Sequence, residues 1–299
     1  MNAQHPAPAT TAREPAPEAP GPDGGALVAL FEHPDLPHRP LPAKLEALYG
    51  GDLDVPDPCL YANFVSSIDG VVALGPQFPS SGSAISGQAA ADRFVMGLLR
   101  ACAHAVVVGA GALRSATNGQ RWLPESVFPA AADDFAELRR SRELAAEPTL
   151  VVVTASGALP VEHPALRAGG VIATTAAGAA RLNGLVPPTC TVLSLGDGLT
   201  VRAGALIDAL HARGLTTILS EAGPRLAGQF ADEGVLDELF LTVSPVLAGR
   251  DHEARYGLVA GVELLPDRRE IGGLLSARQQ ASYLFLRYRL RSGGAAPAG

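Results

Sequence analysis

Short apolar runs alternate along most of the chain with stretches in which apolar positions recur at helical spacing. The runs read as buried strands, and the spaced stretches read as helices with one face inward. Strands are expected at Tyr61 to Ser66, His104 to Val108, Leu150 to Val153, Val171 to Thr174, Val192 to Leu195 and Thr216 to Leu219. Two longer ones, Glu238 to Val246 and Tyr283 to Leu290, close the chain. Over 88–102, Phe94, Leu98 and Cys102 share one helical stripe, with Val95 and Leu99 beside it. Further helices are expected over 131–147 and 201–213, the second stopped by Gly214, and Pro224 opens another as a first-turn proline. Strands alternating with helices predict βαβ units and a parallel sheet. The two closing strands have no well-formed helix between them, which predicts antiparallel pairing there. The expected fold is α/β, with a mixed, mostly parallel sheet and helices on both faces.

The ends differ from this body. Residues 1–24 hold six prolines and few large apolar groups, so they cannot offset the entropy of ordering and read as a disordered Pro/Ala-rich tail. Residues 25–58 read as an N-terminal arm packing on the domain, 59–292 as the domain itself and 293–299 as a second disordered tail. The first tail lacks the apolar core of a signal peptide, and no run is long enough to span a membrane.

Composition narrows the chemistry. The chain has 299 residues, 47% apolar, and a net charge of −7, which argues against a nucleic-acid surface. Three scattered cysteines, Cys59, Cys102 and Cys190, supply neither a metal knuckle nor a disulfide framework, so a reducing cytoplasm is expected. No histidines stand at metal-ligand spacing, and no metal site is expected. Lys44 is the only lysine, so no phosphate-binding loop with its Gly-Lys-Ser/Thr signature exists.

In open α/β sheets, ligands bind beyond the carboxyl ends of the strands. Four such ends carry small or polar residues: Ser66 to Gly70, Gly109 to Ala112, Thr154 to Gly157 and Ser220 to Pro224. The last suits an anion, because glycine permits close backbone approach and the helix opening at Pro224 presents free N–H groups. An ordinary strand-to-helix turn would use the same residues. Gly109 begins G-x-G-x-x-R, a dinucleotide fingerprint without its third glycine. Arg93 and Arg100 share a helix face, and Arg114 and Arg121 follow in the next loop; guanidinium groups suit phosphate, and equally a solvated surface. Asp69 and Glu221 sit at strand ends, where burial beside a ligand would raise either pKa towards acid work.

Four stretches, NFVSSIDGVVAL (63–74), DRFVMGLLRACAHAVVVGAGALRS (92–115), ILSEAGPRLAGQFADEGVLDELFLTVSPVLAG (218–249) and YLFLRYRL (283–290), resemble the reductase domain of the bacterial riboflavin pathway, within the dihydrofolate-reductase-like superfamily. Asn63-Phe64 before the Ser67-Ile68-Asp69-Gly70 turn looks most like the actinobacterial pyrimidine reductase branch. The resemblance implies a three-layer dihydrofolate-reductase-like fold, a homodimer and NADPH as hydride donor. It implies a phosphorylated pyrimidine substrate such as 5-amino-6-(5-phosphoribosylamino)uracil, reduced to its ribityl product. Cofactor contacts would fall on Val65, Gly109, Gly111, Thr154, Ser156, Gly223, Pro224, Arg225 and Leu226. Substrate contacts would fall on Asn63, Ser81, Arg100, Arg121 and Glu221, with Asp69 delivering or orienting a proton.

This chain departs from the family pattern at Asn63, where lysine is common, at Ala112, around Ala116-Thr117-Asn118 and at Ala84-Ile85-Ser86. The fused zinc deaminase module of the family is absent from this sequence. The altered substrate side keeps two rivals in view: a dihydrofolate-type or other pteridine reductase, and a catalytically silent homologue that binds NADPH or a partner.

Overall fold

The computed structural model of the protein describes residues 25–75, 77–78, 81–116, 119–249, 255–268 and 272–290. The two expected tails and the departure at Thr117 and Asn118 lie outside the described residues. The arm contributes β1 (Val28–Glu32) and α1 (Ala43–Tyr49). The first half of the body runs β2 (Cys59–Ser66), α2 (Ser81–Ser86), α3 (Ala90–Cys102), β3 (Ala105–Gly109), α4 (Ala110–Ser115), α5 (Pro124–Val127), α6 (Ala132–Ser141) and β4 (Thr149–Thr154). There follow α7 (Pro164–Arg167), β5 (Gly170–Thr174), α8 (Ala176–Leu182), β6 (Cys190–Ser194), α9 (Ala203–His211) and β7 (Thr217–Ser220). The last elements are α10 (Pro224–Asp232), β8 (Glu238–Val243), β9 (Gly273–Gln280) and β10 (Tyr283–Arg289).

The ten strands among the described residues form one sheet in the order β1-β9-β10-β8-β2-β7-β3-β4-β5-β6. From β8 to β6 every neighbouring pair is parallel, and β8, β10, β9 and β1 pair antiparallel. The mixed sheet and the antiparallel pairing of the closing strands are as the sequence predicts. The strand between them, β9, is not foreseen, because its inward positions include Ser276, Arg278 and Gln280 rather than an apolar series. The helix expected over 131–147 stops at Ser141, and Glu143 turns left-handed at φ 57°.

Strand order fixes which face each helix covers, because parallel crossovers are right-handed. From β3 through β6 the chain steps steadily outwards, and α4, α6, α7 and α8 bury Leu113, Phe135, Leu166 and Leu182 against the same face as α1 and α3. It then turns back to place β7 between β2 and β3, so α9 and α10 bury Leu206, Leu210 and Phe230 on the opposite face. Each fully buried Leu or Phe of these layers is worth about 1.5–3 kcal/mol of transfer free energy.

Helix α3 is anchored at its lower end by a buried arginine. The carbonyls that close a helix have no partners within it. Arg139 of α6 donates through its Nη1 to the carbonyls of Arg100, Ala101 and Ala103 at 2.8–3.2 Å, and through its Nε to Ala145 at 2.7 Å. Substituting Arg139→Met keeps the apolar stem and leaves these carbonyls unmet in a dry setting. We expect a loss of about 2–4 kcal/mol in urea unfolding; an unchanged midpoint would show that the guanidinium is not the anchor.

Candidate active site

The adjacent ends of β7 and β3 part company. The chain leaves β3 through α4 towards one face and leaves β7 through α10 towards the other. Their adjacent carboxyl ends mark the place where strand order reverses and where open α/β sheets take ligands. All four strand ends singled out by sequence belong to the neighbours β2, β7, β3 and β4 and line this edge.

Two glycines there have no architectural reason to be glycine. Gly109 and Gly223 have ordinary φ values of −82° and −69°, and an added Cβ at either meets nothing within 4 Å. What keeps them bare is space in front of them, which suits close approach of a phosphate to backbone N–H groups at the start of α4 and α10. Gly223 is exposed, Pro224 and Leu226 are half-buried and Arg225 is exposed. Glycines in the next loop differ. A Cβ at Gly178 would lie 1.9 Å from Thr174 Oγ1, and one at Gly157 would lie 2.5 Å from the Gly178 carbonyl, so both are needed to lock the β4 turn onto α8. That lock holds the loop of Ser156, whose Oγ accepts from Ala158 N at 3.3 Å, while Thr154 is buried at the strand end. Gly111 is exposed in the first turn of α4, and Val65 is half-buried near the end of β2.

The expected substrate side is already engaged by the protein itself. Arg100, 3% exposed, grips Glu221 bidentately, Nε and Nη2 each donating at 2.6 Å, while Nη1 donates to the Leu123 carbonyl at 3.1 Å. Arg121 pairs instead with Glu147 at 2.6 Å, beside the amino end of β4. The two arginines thus serve separate carboxylates and do not meet on one anion. Arg121 borders a cavity of about 280 Å³ with Trp122, Thr149 and Gly170, at the amino ends of the strands rather than their carboxyl ends. Glycine at 170 has a packing reason, since a Cβ would stand 2.7 Å from the Leu150 carbonyl. Ser81 Oγ donates to Phe78 and accepts from Leu74 N, closing the loop before α2. Asn63 is half-buried and faces α3 among Val95, Phe240 and Thr242.

Without a ligand, the Asp69 carboxylate takes hydrogen bonds from Ser67 and from the N–H groups of Ala248 and Gly249, which hold its pKa down to about 2 and clamp the loop after β8 to the β2 turn. One buried acid that sequence reasoning missed is Asp92. It stands in the first turn of α3 at the head of the inward stripe of Val95, Leu99 and Cys102, and that carboxylate on an apolar stripe was the available signal. Burial raises its pKa from 3.8 to about 6, against hydrogen bonds from Thr242 and Ser86, and the nearby Glu221 charge adds to the rise. A folded-state pKa above the unfolded one means that ionisation opposes folding. The penalty, about 3 kcal/mol, is complete above about pH 6 and is lost as pH falls from about 6 to about 4.

The mixed, mostly parallel sheet with antiparallel closing strands is the architecture of the dihydrofolate-reductase-like class. The chain belongs to the RibD C-terminal domain family, whose model matches residues 58–263. No curated protein matches it. Among solved structures it is similar to Acinetobacter baumannii RibD, at 18% identity and a TM-score of 0.58 over 79% of this chain, and it spans only 59% of that protein's length. A pyrimidine reductase-like protein from Corynebacterium diphtheriae matches at 22% identity and a TM-score of 0.58, covering 83% of this chain and 98% of the other. The riboflavin biosynthesis reductase Rib7 of Saccharomyces cerevisiae matches at 11% identity and a TM-score of 0.51, covering 84% and 96%. These likenesses bear out the fold expected from sequence. No described helix is long and apolar enough to cross a membrane, and no described group of His, Cys, Asp and Glu is arranged to hold a metal.

The glycine contrast is testable by substitution. Gly109→Val and Gly223→Val should change unfolding free energy by less than about 1 kcal/mol and weaken binding of any nicotinamide dinucleotide held there at least about tenfold. Gly178→Ala should cost about 3 kcal/mol by overpacking. Fluorescence titration and urea unfolding read both; full affinity in the two valine variants would place the dinucleotide elsewhere.

Proposed function

We propose that the protein is an NADPH-dependent reductase of 5-amino-6-(5-phosphoribosylamino)uracil or a related phosphoribosylaminopyrimidine. One observation carries the reading: the strand-order reversal of a RibD-family fold, where two adjacent strands end in glycines that packing does not require. Gly109, Gly111 and the turn from Gly223 to Leu226 would hold the cofactor phosphates. Val65, Thr154 and Ser156 would line its remaining length. When bound, the cofactor would supply a hydride to the electrophilic carbon of the opened sugar, and the carbon–heteroatom π pair would pass to the heteroatom, which would take a proton from water. Ionised Asp69 is not the donor in this scheme; it sets the loop geometry at the ends of β2 and β8. The homodimer and the cytoplasmic setting belong to the same reading.

A second reading has one observation in its favour. Both arginines expected at a substrate phosphate are held by carboxylates, which suits a pteridine or other unphosphorylated substrate. Purified protein mixed with NADPH and either the phosphoribosylaminouracil or dihydrofolate separates the two. The first reading expects loss of reduced-nicotinamide absorbance with the pyrimidine and a product heavier by two hydrogens. Faster turnover of dihydrofolate would establish the second, and binding without turnover of either would mark a silent homologue.

A further inference from the structure

We propose that the cavity at the amino ends of β4 and β5 is a second small-molecule site, one that takes a flat aromatic monocarboxylate whose acid group replaces Glu147 on Arg121. The inference goes beyond the reductase reading and does not depend on it, because the cavity stands at the other end of the strands from the glycine turns.

The room is there and its walls are apolar. The cavity holds about 280 Å³, against about 150 Å³ for an apolar cavity that takes one benzene ring. Trp122, Leu123, Pro148, Leu150 and Ala165 line it, and all are buried. Such walls suit an aromatic ring, with the polar groups at one side to orient it. Trp122 is backed by His163, the ring centroids 6.4 Å apart. His163 Nδ1 accepts from Ala165 N at 3.2 Å, so the hydrogen of the neutral ring sits on Nε2. That buried donor has no hydrogen-bond partner among the described residues. A corner closed on itself would supply an acceptor; this one is left open.

The polar side of the cavity shows what it grips. Arg121 holds Glu147 with a fork, Nη1 donating to Oε1 at 3.3 Å and Nη2 to Oε2 at 2.6 Å, and both side chains belong to the lining. A guanidinium fork matches a carboxylate in this two-pronged way. The two side chains are 38% and 51% exposed, and an ion pair so open to water contributes little. Glu147 can therefore be exchanged for an acid that also brings apolar area into the cavity. Arg100 differs: it is 3% exposed, and exchange at its pair with Glu221 would strand a buried charge. The displaced Glu147 stays at the rim, which disfavours a doubly charged phosphate relative to a singly charged acid.

Trp122 is the only tryptophan of the chain, so its fluorescence reports the cavity. We would titrate sodium benzoate into the full chain at neutral pH and follow Trp122 emission, with saturation-transfer NMR on the benzoate as a second readout. A saturable response in the millimolar range is expected. Benzamide, the same ring without the charge, should bind at least about tenfold more weakly. Arg121→Gln should lose benzoate by about the same factor while keeping its urea midpoint. Glu147→Gln should tighten benzoate about threefold or more, because the competitor for Arg121 is gone. Equal affinity for benzoate and benzamide, tighter binding of inorganic phosphate than of benzoate, or no saturable response in either readout would overturn the inference. So would weaker binding in Glu147→Gln, and so would displacement of benzoate by NADP⁺, which would make the cavity part of the dinucleotide site.

Discussion

A four-residue strand threaded between two others is the constraint on which the molecule depends. Because β7 returns between β2 and β3, right-handed connection sends α10 to one face and α4 to the other. Had β7 been added at the outer edge, its exit would follow its neighbours and no divergent pair of exits would stand beside β3. Two backbone turns then meet there with helix amino ends behind them, and bare glycines leave the approach clear. The wide outer sheet, from β4 to β6, holds this arrangement in place from the side.

Charge inside the layers ties the scaffold to the site. Arg139 closes the lower end of α3 with carbonyl contacts, and Arg100 joins the same helix to the turn after β7 through Glu221. A buried pair of this kind adds little net stability, yet removing one partner costs about 3–5 kcal/mol. Its effect is to fix geometry: α3 cannot shift without stranding a charge. The turn that follows β7 is thus held by the core rather than by its own loop. Asp69 braces the opposite wall, joining the β2 turn to the loop after β8 through two backbone N–H groups.

Much of this was legible in the chain. Parallel strands buried on both faces read as continuous apolar runs, so β2 through β8 stood out, and the four polar strand ends proved to be neighbours. Strands whose inward residues are polar did not stand out, and β9, with Arg278 buried under Tyr49, is the clear instance. Partner choice was equally hidden. Nothing local to Arg100 or Arg121 shows that each would find a carboxylate far along the chain, or that Arg121 would stand at the amino end of the sheet. Asp69 and Asp92 illustrate the same limit with opposite signs. An acid in a turn is held ionised by a neighbouring Ser67 hydroxyl and by distant N–H groups, and an acid on a helix is pushed towards neutrality by burial.

The central claim is that a dinucleotide lies across the ends of β7 and β3. A crystal structure of the protein with NADP⁺ tests it most directly. The account requires the pyrophosphate to rest on the backbone N–H groups after Gly109 and Gly223, with the nicotinamide towards β2. Density for the dinucleotide in the cavity beside Trp122, at the amino ends of the strands, would contradict it.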